Sequence, residues 1–178
     1  MSEFQAPLAT VPLPLAFALR AVPLAPLAHA LSLVARRVIA HHPGLIDRLG
    51  SYAACTFAID PTDLPVTLLL HPDRTATRIT LHRRPPVASA RISGRLAALL
   101  GLVHGTWDGD ALFFSRDLLI EGDTSAALAL RNAIDDAELD LGAEIAGFSG
   151  PLARFLTPLI GLAERRTGMP LRRAEVMS

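Results

Sequence analysis

The sequence predicts an α+β domain. Three observations carry that prediction. Leu24–His41 repeats apolar residues at helical spacing, residues 51–92 form a run of short strand-like segments separated by Pro- and Asp-containing turns, and residues 116–141 read as a strand followed by a helix. The turns inside the strand run are too short to hold crossover helices, so the five strands are expected to make a mostly antiparallel sheet.

The elements follow in order. Residues 1–23 are an apolar arm interrupted by Pro7, Pro12, Pro14 and Pro23. Each proline fixes φ and removes a donor, so the arm admits only a short helix around Leu15–Ala21. In Leu24–His41, Leu27, Leu31, Val34 and Val38 return every three or four residues. Arg36 and Arg37 sit near its C-terminal end, where the helix dipole favours cations. Pro43-Gly44 stops that helix, and a short one is expected over Leu45–Leu49. Ser51–Ile59, with Cys55 inside it, is apolar on both faces and predicts a central strand. Val66, Leu68 and Leu70 then alternate, as do Thr77, Ile79 and Leu81 against Arg78, Thr80 and His82. A fourth strand is expected over Val87–Ile92, after Pro85-Pro86. Ser93 is the candidate N-cap of a helix with Leu96, Leu99, Leu100 and Val103 on one side. Arg116–Glu121 predicts the fifth strand. Asp123 or Thr124 then caps a helix that turns Ala127, Leu130, Ile134, Ala137 and Leu141 inward, closed by Gly142. From Pro151 onward Leu152, Phe155, Leu156, Leu159, Ile160 and Ala163 again repeat at helical spacing, with a bend expected at Pro158. The chain therefore divides into an arm with N-terminal helices (1–50), a central domain (51–141) and a C-terminal amphipathic helix with its tail (142–178).

Composition narrows the function. The formal net charge is zero and every Lys/Arg position is Arg, so the basic footprint of a nucleic-acid binder is missing. Half the residues, 51%, are hydrophobic, and the mean hydropathy of +0.37 is high for a chain without a spanning segment. No apolar window reaches the roughly 20 residues a spanning helix needs without charges or several prolines. Ala28-His29-Ala30 imitates a cleavage site, but the first nineteen residues hold no Lys or Arg to make a signal peptide. A cytoplasmic chain, peripheral at most to the inner face of a membrane, is the expectation. The single cysteine, Cys55, excludes an intrachain disulfide or a Cys-built metal site.

Reactive constellations are weak. His29, His41, His42, His71, His82 and His104 contain no H-x-x-x-H or H-E-x-x-H spacing, so no metal is expected. Ser93-Gly94 and Ser149-Gly150 lack the G-x-S-x-G frame of a nucleophile elbow. The only acid–base candidates are His104 with Asp108 or Asp110. Asp135, Asp136, Glu138 and Asp140 fan over the polar side of a helix as a solvated surface. What remains is apolar: Leu96, Leu99, Leu100, Val103, Trp107, Phe113 and Phe114 gather before the fifth strand. Leu130, Phe148, Leu152, Phe155 and Leu156 can approach them from the following helices. Leu159 and Ile160 beside Arg165-Arg166 have the make-up of an interfacial helix that meets anionic lipid. From these residues alone, a filled core and an open cavity read the same.

A resemblance separates them. Leu112-Phe113-Phe114, Arg116, Leu119-Ile120-Glu121-Gly122-Asp123-Thr124, Asn132, Ile134-Asp135, Glu138 and Leu139 resemble the C-terminal part of the sterol-carrier-protein type-2 (SCP2) domain. Within that superfamily the stretch is most similar to the UbiT-type accessory factors of bacterial ubiquinone biosynthesis. The resemblance spans roughly Ser51–Leu141. It implies a five-stranded sheet covered on one face by helices, around an apolar cavity kept open for a lipid. It further implies a non-enzymatic protein without cofactor, with prenylated quinone precursors or phospholipid as ligand and hydroxylases of the UbiU and UbiV type as partners. Two other functions fit the residues: a general phospholipid or sterol-type carrier, and a small acyl- or thioester-handling enzyme.

Overall fold

Five strands build one mixed sheet in the order β3-β2-β1-β4-β5. They are β1 (Phe57–Pro61), β2 (Thr67–His71), β3 (Arg78–His82), β4 (Ala90–Gly94) and β5 (Leu118–Gly122). The helices are α1 (Leu13–Ala21), α2 (Leu24–His41), α3 (Gly44–Leu49), α4 (Leu96–His104) and α5 (Thr124–Ala137), with a 3₁₀ turn at Gly50–Ala54. The structure is a computed structural model and describes residues 10–104 and 117–137.

All neighbouring strands are antiparallel except β1 and β4, which run parallel. That one exception sets a demand on residues 83–89. They must carry the chain from the far end of β3 across three strand spacings and back one strand length, a diagonal of roughly 20 Å. An extended chain covers at most about 3.5 Å per residue, so this link has to run largely extended. Pro85-Pro86 favours that conformation, and Val87 stands 98% exposed on the link.

The pleat then sorts the side chains. Register places Phe57, Ile59, Leu68, Leu70, Ile79, Ala90, Ile92, Leu118 and Ile120 on one face. The helices cover that face. Ala126, Ala127, Leu130 and Ala133 of α5, Ala98, Leu99 and Leu102 of α4, and Leu45, Ile46 and Leu49 of α3 join Phe57, Ala90 and Ile92 in one core. The other face carries a polar row, Asp60, Thr67, Arg91 and Glu121 across β1, β2, β4 and β5, beside the buried Ala58 and Leu69. The Asp60 carboxylate accepts from the Thr67 hydroxyl at 2.7 Å and from Arg91 Nε at 3.0 Å, and Arg91 also pairs with Glu121 at 3.1 Å.

Both ends of the sheet are managed. At the β3 edge, Ser32 of α2 donates its hydroxyl to the Ile79 carbonyl (3.0 Å) and accepts from the Ile79 amide (2.9 Å). Arg36 Nε donates to the Thr77 carbonyl at 2.9 Å. Helix α2 thus supplies bonds that another strand would otherwise offer to this edge. At the far side, Gly122 has φ +81°, and a Cβ there would meet the Ser89 carbonyl oxygen at 2.5 Å. Only glycine fits between β5 and the end of the 83–89 link.

Two expectations need correction. Ser51–Ala54 is a 3₁₀ turn, and the central strand begins at Phe57. Gly50, at φ +53°, ends α3, and no β-branched residue follows it before Thr56. Cys55 is the half-buried residue after that turn. Ser93 does not cap α4: it is a buried residue of β4. The cap comes from Asp63, whose Oδ1 accepts from the Leu96 amide at 2.9 Å. In contrast, Asp123 caps α5 as expected, accepting from the Ala126 amide at 3.0 Å.

The β2–β3 turn yields a pH prediction. Asp73 accepts from the Thr75 and Ala76 amides, which hold its carboxyl below the usual 3.8. His71 lies opposite Arg78 on the polar face; burial, then Arg78 and His82, push its pKa below the usual 6.5. Both groups therefore bind protons less readily folded than unfolded. The Asp73 contribution is lost only below about pH 4. The His71 contribution is lost earlier, as pH falls through and below 6.5. The thermal midpoint is expected to fall slightly between pH 7.5 and 5.5, and His71→Asn to flatten that slope. Melting curves across the range check it.

Candidate functional site

The helix-covered face does not close completely. Between it and the helices lies a cavity of about 290 Å³ with an apolar wall. Helix α2 supplies Leu31, Val34 and Val38, because a 3.6-residue period brings them to one side. Leu45, Ile46 and Leu49 come from α3, Leu68 and Leu70 from β2, Ile79 from β3, and Leu130 and Ile134 from α5. The two-residue strand period puts Leu68, Leu70 and Ile79 on the same face as Phe57. Thr77 also lines the space, but its hydroxyl is already engaged with the Asp73 backbone. Two exposed ion pairs tie α3 to its surroundings: Arg74–Asp47 to the β2–β3 turn and Arg48–Asp136 to α5.

Such a space suits an apolar ligand. Small-molecule sites begin near 300 Å³, and a cavity of about 150 Å³ lined by aliphatic side chains takes one benzene. By the same measure this one holds on the order of ten carbons. Sheltering each CH₂ from water is worth about 0.8 kcal/mol, before the entropy of confining the chain is subtracted.

The sequence-predicted lipid residues divide between locations. Leu99 and Leu130 lie in the main core, and Leu130 reaches the cavity wall. Leu96 and Leu100 pack instead with Val11, Ala16, Leu64 and Ala97 in a smaller cluster under the N-terminal arm. Val103 belongs to α4. Trp107, Phe113, Phe114, Phe148, Leu152, Phe155, Leu156, Leu159, Ile160, Arg165 and Arg166 lie outside the described residues, as do Asp108 and Asp110. The wall contributed by α2, α3, β2 and β3 was not among the predicted site residues. Its signals, the period of α2 and the alternation of β2 and β3, are also those of ordinary core.

Chemistry beyond binding has little support among the described residues. No three His, Cys, Asp or Glu side chains converge as metal ligands there. The Ser93 hydroxyl is buried without a hydrogen-bond partner, so no base activates it. None of the described helices is long and apolar enough to cross a membrane.

The comparisons with known proteins accord with this architecture. The profile of the SCP-2 sterol transfer family matches residues 36–135, opening in α2 and closing in α5. A comparison with curated protein sequences finds no match. Among solved structures, the chain is similar to one described as UbiJ-SCP2 ubiquinone synthesis protein. The TM-score is 0.52 at 16% identity, over 66% of this chain and 96% of that one. The apo form of sterol carrier protein 2 from Yarrowia lipolytica aligns with a TM-score of 0.45 at 14% identity, over 62% of this chain and 91% of that one. With a family match that takes in more than half of its residues, this chain belongs to the SCP-2 sterol transfer family.

Proposed function

We propose that the chain is a non-enzymatic lipid-binding accessory factor of ubiquinone biosynthesis, in its oxygen-independent branch, that shelters the prenyl tail of quinone precursors. The observation that carries the reading is the apolar cavity between α2, α3, α5 and the β2–β3 half of the sheet. The sequence resemblance to UbiT-type factors over Leu112–Leu139 supports the pathway, as does the fold shared with a structure described as a ubiquinone synthesis protein. A prenylated ring cannot cross water freely, since one isoprene unit costs about 4 kcal/mol to expose. A carrier that takes the tail leaves the polar ring for hydroxylases of the UbiU and UbiV type. Residues Trp107, Phe113, Phe114, Phe148, Leu152, Phe155 and Leu156 are proposed to extend the lipid site begun by Leu99 and Leu130, and Leu159, Ile160, Arg165 and Arg166 to meet a membrane.

The one polar residue in the cavity wall, Thr77, has its hydroxyl engaged with the Asp73 backbone, which favours one second reading, a general phospholipid carrier, because no group there is left to select a ring. One experiment addresses both. Protein purified from quinone-producing cells grown without oxygen is extracted with organic solvent and analysed by mass spectrometry. Prenylated phenols or quinones at near-stoichiometric amounts are expected. Phospholipid alone would move the protein out of quinone metabolism, and repeatedly empty protein would overturn lipid carriage.

A further inference from the structure

Helix α2 borders a second space, across its seam with β3 from the cavity. The seam is made by Ser32 with Ile79 and by Arg36 with Thr77. Those pairings run α2 antiparallel to β3, and one step further the same register places Ala28 level with Leu81. Leu31, Val34 and Val38 turn toward the cavity. Ala25, Ala28, His29 and Arg36 instead line a groove of about 540 Å³, with Arg78 and Leu81 across from them. At 3.6 residues per turn the two sets lie roughly 120° apart on the helix. Among the described residues Ile79 alone lines both spaces, so the seam partitions them.

The groove is polarised along its length. At one end stand Arg36 and Arg78, both exposed. Arg36 is held in place: its Nε is committed to the Thr77 carbonyl at 2.9 Å, which leaves its two terminal nitrogens as a fork suited to a paired-oxygen anion. No carboxylate lines the groove, and among the described residues none pairs with Arg36 or Arg78. The acid of the adjoining turn, Asp73, is already satisfied by the Thr75 and Ala76 amides. The other end is apolar, built from Leu24, Ala25 and Ala28 of α2 and Leu81 of β3. From Leu24 to Arg36 the helix rises about 18 Å, and the volume falls within the roughly 300–1,000 Å³ of small-molecule sites. A bare inorganic anion would use one end only. A neutral apolar molecule would leave two guanidinium groups unmatched. An oxyanion head on an apolar body meets both ends.

We infer that the α2–β3 groove is a binding site for an amphiphilic anion, a carboxylate or a phosphate ester. Its head meets Arg36 and Arg78, and its apolar body lies along Ala28 and Leu81. The site is separate from the cavity, and the inference stands whether or not the cavity carries a quinone precursor.

The test is titration of the full chain with octyl phosphate, octanoate, 1-octanol and inorganic phosphate, followed through the backbone amides by NMR. Octyl phosphate, octanoate or both are expected to shift Ala28, His29, Arg78 and Leu81, and the stronger of the two identifies the preferred head. Inorganic phosphate should bind at least about tenfold more weakly than octyl phosphate, since it forgoes the apolar end. Arg78→Glu breaks no bond of the seam and should lower affinity for the octyl anions about tenfold or more, with a melting curve near that of the wild type. Arg36→Gln should weaken binding similarly, and Arg78→Glu keeps the test open if that variant folds poorly. Val34→Phe fills the cavity and should leave the groove titration as in wild type, which separates this site from the cavity's lipid. Anions that shift none of the groove amides, or shifts confined to Val34 and Leu130, overturn the inference. So do groove shifts that persist unchanged in Arg78→Glu, or that 1-octanol reproduces at the same concentration.

Discussion

Phe57→Ala is expected to remove about 3–5 kcal/mol from the stability of this domain. Phe57 is 0% exposed and sits on β1, the middle strand, facing the helices. Directly opposite it are Leu70 on β2 and Ala90 on β4. On the β4 side the buried Ala90 is too small to fill the gap. The expected loss adds the transfer energy of the ring to the cavity it leaves. A domain of this size has about 5–15 kcal/mol in total, so the variant should show a much lower urea midpoint. The control is Leu119→Ala on β5, where the native side chain is 58% exposed and the change should stay within about 0.5 kcal/mol. Urea titrations of both variants beside the wild type decide it. A loss under about 1 kcal/mol for Phe57→Ala would mean that this side of the sheet is not closely packed.

The contrast between those two positions also marks what could be read before any coordinates. Strand alternation in Val66–Leu70 and Thr77–Leu81 follows from the pleat alone, and the helix-facing residues of β2 and β3 are the ones it indicates. The bounds of α2 follow from Pro23 and Pro43, which sit outside both ends, and from an apolar repeat kept throughout. The cap of α4 was not legible. Asp63 lies 33 residues before the amide it accepts from, and only the path of β1 brings the two together. The parallel pairing of β1 with β4 was hidden for the same reason, because register between distant strands is a tertiary property. The position of the cavity depended on a third such property. Side chains of Leu45, Ile46 and Leu130 look like core in any local window, and whether they touch or leave a space is decided by how α3 and α5 sit over the sheet.

Leu130→Glu is the change expected to act most strongly on that space. Leu130 is 5% exposed on α5, shares the cavity wall with Ile46 and Val38, and has no cation among the side chains that line the space with it. An ionised carboxylate there would lose its hydration without gaining a partner, which costs several kcal/mol and pushes the group toward its neutral form. At pH 7.5 the variant is expected to lose about 3 kcal/mol or more of stability and at least tenfold of its co-purifying lipid. The introduced carboxyl has a raised pKa in the folded state, so its penalty should shrink as pH falls toward that value. Stability relative to wild type, measured by urea at pH 7.5 and 5.5, should therefore recover in part at the lower pH. Two further substitutions separate loss of the cavity from loss of the fold. Leu130→Met conserves volume, should cost less than about 1.5 kcal/mol and should keep the lipid. Val34→Phe adds bulk into the open space, where the overpacking that costs about 1–3 kcal/mol in a filled core is relieved. It should melt near wild type and carry less lipid. If Val34→Phe is folded and holds as much extractable lipid as the wild type, the ligand does not occupy this cavity.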